Sequence, residues 1–314
     1  MKRSKSVFFV TTITTYVFSL FFAIAVFADD NNTHEKFSDY IRVSKQEDKL
    51  HPTSLDTPIV KFENKKTGLE VSLIGAVHIA DKKYYEELNN EFKKYDVVLF
   101  ELVVNNSAKD KDNNLNKKLL NKLDKKKKNS YGELQSGIGN FLDLSNQIDH
   151  IDYRAKNMIH ADLTWEEFLD RVEKRGDWFF MILREFLTAM SSTDGEQENE
   201  LELEGRIIGS LLSSNPALSL KRNFARLLTG KLGNASQLLP QEESAIITDR
   251  NKAALKVLKK EIKKGTKKIA IFYGCAHLPE FADSLKKDLK LQKTEITWLV
   301  AWDLTKNKNL RKKP

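Results

Sequence analysis

Two of the six histidines in this 314-residue chain close the same four-residue pattern, Gly75-x-x-His78 in "LIGAVHIA" and Gly274-x-x-His277 in "FYGCAHL". With 13 glycines and 6 histidines, chance supplies about a quarter of one such match. An imidazole ligates a divalent metal or carries a proton near neutral pH. Glu101, at the end of "VVLFE", adds a carboxylate. Two imidazoles and one carboxylate together make a three-ligand open site for a divalent transition metal of the Mn, Co or Zn type, with a position left for water that the ion makes acidic. In a second arrangement Glu101 is the general base and the histidines hold the metal with a further ligand such as Asp162. Against both stands a plainer reading, in which each histidine bonds a neighbouring carbonyl and Glu101 pairs with one of the many lysines.

The site requires elements that bring these residues to one place. "IVKFENKKTGLEVSLIGAVHI" reads as two strands around a Lys-Lys-Thr-Gly turn, the second strand apolar throughout and therefore buried on both faces. The segment from Asp81 to Lys94 repeats apolar or aromatic residues at Tyr84, Tyr85, Leu88 and Phe92, a helical spacing, and "YDVVLFELVV" is another buried strand. Strand, helix and strand within about 35 residues form a βαβ unit with parallel strands adjacent or nearly so. His78 then leaves the carboxyl end of one strand, where Gly75 is expected to permit a tight turn, and Glu101 ends the next. That rim is where open α/β sheets bind ligands. From about residue 242 the order helix, strand, Gly274-x-x-His277, helix, strand returns, so the two units can carry both histidines to one rim.

The expected fold class is thus α/β (α+β): two strand, Gly-x-x-His, helix, strand halves forming a central sheet, over residues 59–105 and 242–305, with a helical insertion at 106–241 between them. Residues 29–58 are polar without sustained periodicity and read as a linker, and 306–314 as a basic tail. Within the insertion, His150 and His160 are expected at the surface or packed on helices. Asp162 in "HADLTWEEF" is expected to cap a helix, with Glu166 in its first turn, or else to enter the site.

Residues 1–28 place Lys2, Arg3 and Lys5 before an apolar run ending in Val26-Phe27-Ala28, the pattern of a signal peptide cut after Ala28, and the expected location is periplasmic or extracellular. The run from Val7 to Ala28 is also about long enough to span a bilayer, so membrane association through residues 7–28 is the alternative. The single cysteine, Cys275, excludes an internal disulfide and is read as a small buried residue. The net charge of +8, 52 basic against 44 acidic residues, comes largely from lysine clusters such as 117–129 with no interleaved aromatics or arginines, and no nucleic-acid binding is expected.

In order, "LIGAVHIA", "VVLFEL", "TDRNKA" and "FYGCAHL" resemble the superfamily of TraB and PrgY pheromone-shutdown proteins, GumN-like proteins and the TIKI metalloproteases, over roughly residues 59–305. The resemblance to erythromycin esterases and ChaN haem-binding lipoproteins is more distant. The resemblance implies a site of His78, Glu101, Arg250 and His277, with Asn251 following the arginine and Asp249 standing where a glutamate is usual. It implies a metal-dependent, peptidase-like hydrolase acting on a peptide, protein or ester, with Arg250 orienting substrate or stabilising an oxyanion. The alternatives it leaves open are a metal-free, esterase-like hydrolase and a non-catalytic haem-binding, metal-binding or signalling protein.

Overall fold

The computed structural model describes residues 36–45, 51–104, 142–174, 208–229 and 247–305. The signal or anchor segment, the basic tail and the lysine cluster at 117–129 lie outside the described residues. Among those described, no helix is long and apolar enough to cross a membrane.

The architecture is α/β. In chain order the elements are β1 (Arg42–Ser44), β2 (Ser54–Asn64), β3 (Leu69–Ala76), β4 (Ile79–Ala80), α1 (Lys82–Phe92), β5 (Val97–Phe100), β6 (Ser145–Asn146), α2 (Gln147–His150), β7 (Met158–His160), α3 (Trp165–Lys174), α4 (Pro216–Thr229), α5 (Thr248–Lys263), β8 (Lys268–Gly274), α6 (Leu278–Leu289) and β9 (Gln292–Asp303). A seven-stranded sheet runs β1-β2-β3-β8-β5-β7, and β9 pairs β2. The strands β3, β8, β5 and β7 are mutually parallel, while β1, β3 and β9 all meet β2 antiparallel.

The two sequence halves interleave rather than lie side by side. β8, from the second half, runs between β3 and β5 of the first, with Gly75 opposite Tyr273 and Ala76 opposite Gly274. All three strands are apolar on both faces because both are covered. Ala270 and Phe272 of β8 enter one core with Tyr85 and Leu88 of α1, whereas Ile269, Ile271 and Tyr273 enter the other with Leu258 of α5 and Phe281 of α6.

Both glycines of the repeated motif serve close packing. Neither has positive φ; among the described glycines only Gly68 and Gly265 do. A Cβ on Gly75 would lie 2.8 Å from Cys275 Sγ and 2.9 Å from Pro58 Cδ. The expected tight turn at Gly75 is thus replaced by a requirement for space, because the second motif presses its cysteine against the first.

Two boundaries differ from expectation. The stretch read as a linker supplies β1, the start of β2 and four core residues, Phe37, Tyr40, Ile41 and Leu55. Its polar side chains are accommodated by partners: Asp56 Oδ2 accepts from Arg42 Nε (3.1 Å) and Ser44 Oγ (2.5 Å), and Thr57 Oγ1 bonds Tyr84 Oη at 2.9 Å. The insertion read as helical also adds β7 to the sheet, a three-residue strand too short to show a period and held by its register, Phe100 opposite His160.

Candidate functional site

The parallel strands end at one rim, and their ends carry the site. Glu101 is the first residue past β5 and is 8% exposed. Its Oε2 accepts the Gly274 N–H at 2.7 Å and its Oε1 accepts Arg250 Nη2 at 2.6 Å. A Cβ on Gly274 would stand 3.4 Å from Glu101 Oε2, so a bare backbone lets the carboxylate settle onto that amide.

Arg250 enters from the first turn of α5 and forks between two carboxylates. Its Nε and Nη2 donate to Asp162 Oδ1 and Oδ2 at 3.0 and 2.6 Å, a two-pronged pairing in addition to the bond to Glu101. Asp162 therefore belongs to the buried network and is not the helix cap. Thr164 is: its Oγ1 accepts the Glu167 N–H, and Glu167 Oε2 accepts the Thr164 N–H. Both Asp162 oxygens hold Arg250, and Oδ1 also accepts the Leu163 N–H at 2.7 Å, so an ion at Asp162 would have to displace Arg250, as it would at Glu101 Oε1. Asp249, in the same turn as Arg250, is buried and lies 3.6 Å from Arg171 Nη1.

His277 is fully buried, one short helical turn beyond Gly274. Asn251, also fully buried, decides its tautomer. Asn251 Nδ2 donates to the His277 carbonyl at 3.2 Å, so Asn251 Oδ1, 2.6 Å from Nδ1, must accept. Nδ1 then carries the proton and Nε2 presents a lone pair. That Nε2 is buried with no hydrogen-bond partner and lies 3.7 Å from Glu101 Oε1. The rings of Tyr273 and Phe281 hold the imidazole in place, at centroid distances of 5.0 and 6.4 Å.

The electrostatics divide the pair. Burial would push the Glu101 carboxyl up, but Arg250, then the two histidines and the Gly274 N–H, outweigh it and hold it at about 2. For His277, burial dominates and lowers it to about 4 despite Glu101. At neutral pH the site thus holds an ionised Glu101 and a neutral His277. Burial also opposes the charge on Arg250, yet Asp162 and Glu101 more than offset it and hold the guanidinium protonated.

His78 is half-buried, two residues past β3, and lies near Glu101 and His277. Its side chain makes no hydrogen bond among the described residues, and its carbonyl accepts the Gln147 N–H at 2.9 Å. Among the described residues no three His, Cys, Asp or Glu side chains stand close enough to hold one ion. His277 Nε2 and Glu101 Oε1, 3.7 Å apart, stand near the spacing of two ligands about 2.1 Å from a common ion at a tetrahedral angle, which is about 3.4 Å.

Two other expectations are settled by packing. Cys275 is fully buried, and burial pushes its thiol well up, so it is an inert packing residue. His160 is not a surface or helix-packing histidine: it ends β7 fully buried, edge-on to Phe100, with Nε2 2.5 Å from the Leu102 carbonyl. His150 is stacked on Tyr85 of α1. Sequence reasoning missed Gln147 and Tyr153, which join through Gln147 Nε2 donating to Tyr153 Oη at 2.9 Å. No periodic signal marks either, since α2 is one turn long.

The chain matches no family model, and no curated protein matches it significantly.

Proposed function

We propose that this protein is a metal-dependent hydrolase of the TraB and TIKI kind, with His277 and Glu101 as the pair spaced to hold a divalent transition metal and His78 as a third ligand that must move to reach the same ion. The observation that carries the reading is the unpartnered Nε2 of buried His277, left unprotonated by Asn251 and set 3.7 Å from the ionised Glu101. Leaving a buried acceptor unpaired costs about 1–3 kcal/mol, which an ion bound there would offset. Asn251 fits the habit of ligating imidazoles, whose other nitrogen is held by a hydrogen bond.

A divalent ion so held would acidify water and polarise a carbonyl. The chain's own residues divide the remaining work. Glu101 supplies negative charge, Asn251 fixes the tautomer of His277, and half-buried His78 lies near both. Arg250 pairs with both buried carboxylates and offsets one of their two charges. Elemental analysis of purified protein before and after chelation tests the proposal: a stoichiometric transition metal, lost on chelation together with hydrolysis of peptide or ester substrates, is expected. Metal-free protein that cannot be loaded with Mn, Co or Zn removes it.

One observation favours a second reading. Arg250 Nη2 already donates to Glu101 Oε1, the oxygen that faces His277. With that charge satisfied, His277 could act on water as a base without metal, and activity would resist chelators.

A further inference from the structure

The sheet leaves one long edge open. β9 runs for 12 residues, pairs with β2 along one side and meets no strand along the other among the described residues. Residues 292–297 are all exposed, and Ile296 and Val300 are large apolar residues 38% and 46% exposed. The register with β2 skips Thr294 and Ala301, so two bulges bracket a regular stretch at 295–300. Pro58, opposite Trp298, shows which way the backbone points there. Its Cδ stands where an amide hydrogen would and lies toward β3, 2.9 Å from the place of a Cβ on Gly75. Trp298 is thus at a position that does not bond β2, and by alternation the N–H and C=O of Ile296, Trp298 and Val300 point to the open side. Beyond Val300 the edge closes, because Asp81 accepts the Asp303 N–H and donates its own to the Ala301 carbonyl at 2.9 Å.

We infer that this edge is a self-association surface, at which β9 of a second copy pairs antiparallel across a two-fold axis through Trp298. In that register Ile296 lies opposite Val300 of the second copy and Trp298 opposite its own counterpart, each pair exchanging two backbone hydrogen bonds. The strand is chemically symmetric about Trp298. The bulges keep Lys293, Ile296, Trp298, Val300 and Asp303 on one face, since these residues stand opposite Phe62, Val60, Pro58, Asp56 and Ser54 of β2. The axis therefore turns the basic end of each strand, Lys293, toward the acidic end of the other, Asp303 and Asp81. No like charges meet, because Glu295 falls opposite Ala301. Between Glu295 and Asp303 the strand is uncharged and rich in strand-forming residues, whereas edges that stay single carry charges or proline. The central ring is also held in advance, with the Arg42 guanidinium 4.1 Å over Trp298 and bonded to Asp56. A foreign strand would have no need of this symmetry, so the occupant is a second copy, and a contact that is its own counterpart closes at a dimer. The inference does not depend on a bound metal.

Sedimentation of the purified full chain in mild detergent tests it, through variants at exposed positions of β9 whose backbone does not bond β2. The wild type should show a monomer–dimer equilibrium. Ile296→Lys sets a lysine against Val300 of the other copy, twice in each dimer, and should weaken association at least tenfold. Ile296→Lys combined with Val300→Glu places opposite charges across the axis and should bring the affinity back to within about threefold of the wild type. Val300→Lys, rescued by Ile296→Glu, serves if the first variant does not fold, which the urea midpoint of dilute protein reports. A wild-type chain that stays monomeric at every concentration overturns the inference. A dimer that folded lysine variants leave unchanged is formed elsewhere and equally overturns it. Failure of the charge-paired variants to recover means that residues 296 and 300 are not opposed, and this too removes the two-fold pairing.

Discussion

At the scale of single residues, the chemistry turns on which nitrogen of His277 carries the proton. Asn251→Ala removes the acceptor that holds Nδ1 and frees the ring to change tautomer, so metal affinity should drop about 10–100-fold in a chelator competition while the fold persists. Asn251→Asp, which keeps an acceptor, should recover most of that loss. His78→Ala and His277→Ala should each weaken binding at least as much, and the double variant should be little worse than either single one if both hold one ion. His150→Ala, away from the strand ends, is the control. The acid response of the metal-free chain follows from the same residues. His277 is lowered from 6.5 to about 4, so the unfolded chain binds more protons than the folded one within that interval. Its contribution to stability is complete above pH 6.5 and is lost as pH falls through about 4. Glu101, lowered from 4.5 to about 2, loses its contribution over the next interval below. Urea unfolding of chelated protein should therefore show the midpoint falling from pH 6.5 downward, and His277→Gln should flatten the portion above pH 4.5 while leaving the steeper acid limb.

At the scale of elements, the repeated glycine matters because β3 and β8 are neighbours. Gly75→Ala forces a methyl group against Cys275 Sγ and Pro58 Cδ, both under 3 Å from its ideal position. Overpacking of this sort costs about 1–3 kcal/mol, which chemical denaturation would register as a lower midpoint with an unchanged slope. Adding Cys275→Ala should recover part of the loss, since it removes one of the two obstructing atoms, and Cys275→Ala alone should leave metal content unaltered. The partner element is α5, whose first turn delivers Arg250 and Asn251 side by side. Arg250→Lys keeps the charge but not the fork that spans Asp162 and Glu101, and on the order of 3 kcal/mol of stability should disappear with it.

At the scale of the whole molecule, the described part of the insertion is tied to the rim by a buried ion pair. Lys221 of α4, 6% exposed, reaches Asp81 Oδ1 at 3.4 Å, and Asp81 Oδ2 accepts the Asp303 N–H that closes β9. Asp81 lies three residues after His78, so the tie fixes the approach to α1. The partners are unequal, because the Asp81 side chain is 21% exposed and keeps a backbone donor when Lys221 is lost, whereas Lys221 is left desolvated without Asp81. Asp81→Ala should thus lower the unfolding midpoint clearly more than Lys221→Met does. Equal losses would mean that the ion pair adds nothing to the other contacts of α4, among them Arg222 Nε donating to the Leu304 carbonyl at 2.9 Å.

Taken by itself, the amino-acid sequence determined the periodic elements: the strands that end at Gly75, Phe100 and Gly274, the helices that follow the two histidines, and the placing of His78, Glu101 and His277 at strand ends. These could be read because each depends on local spacing, alternation or repetition. It did not determine that β8 would run between β3 and β5, which sets Gly274 over Glu101, nor that Asp162 would leave its helix to share Arg250. The short strands β1 and β7, the buried polar residues of 36–58 and the Gln147–Tyr153 bond were equally hidden. Each owes its place to a partner at a spacing that no helix or strand repeats: six residues for Gln147 and Tyr153, 26 for Asn251 and His277, 173 for Glu101 and the Gly274 amide. Such pairings leave no period to read, so only the tertiary structure could decide which nitrogen of His277 is free and what it faces.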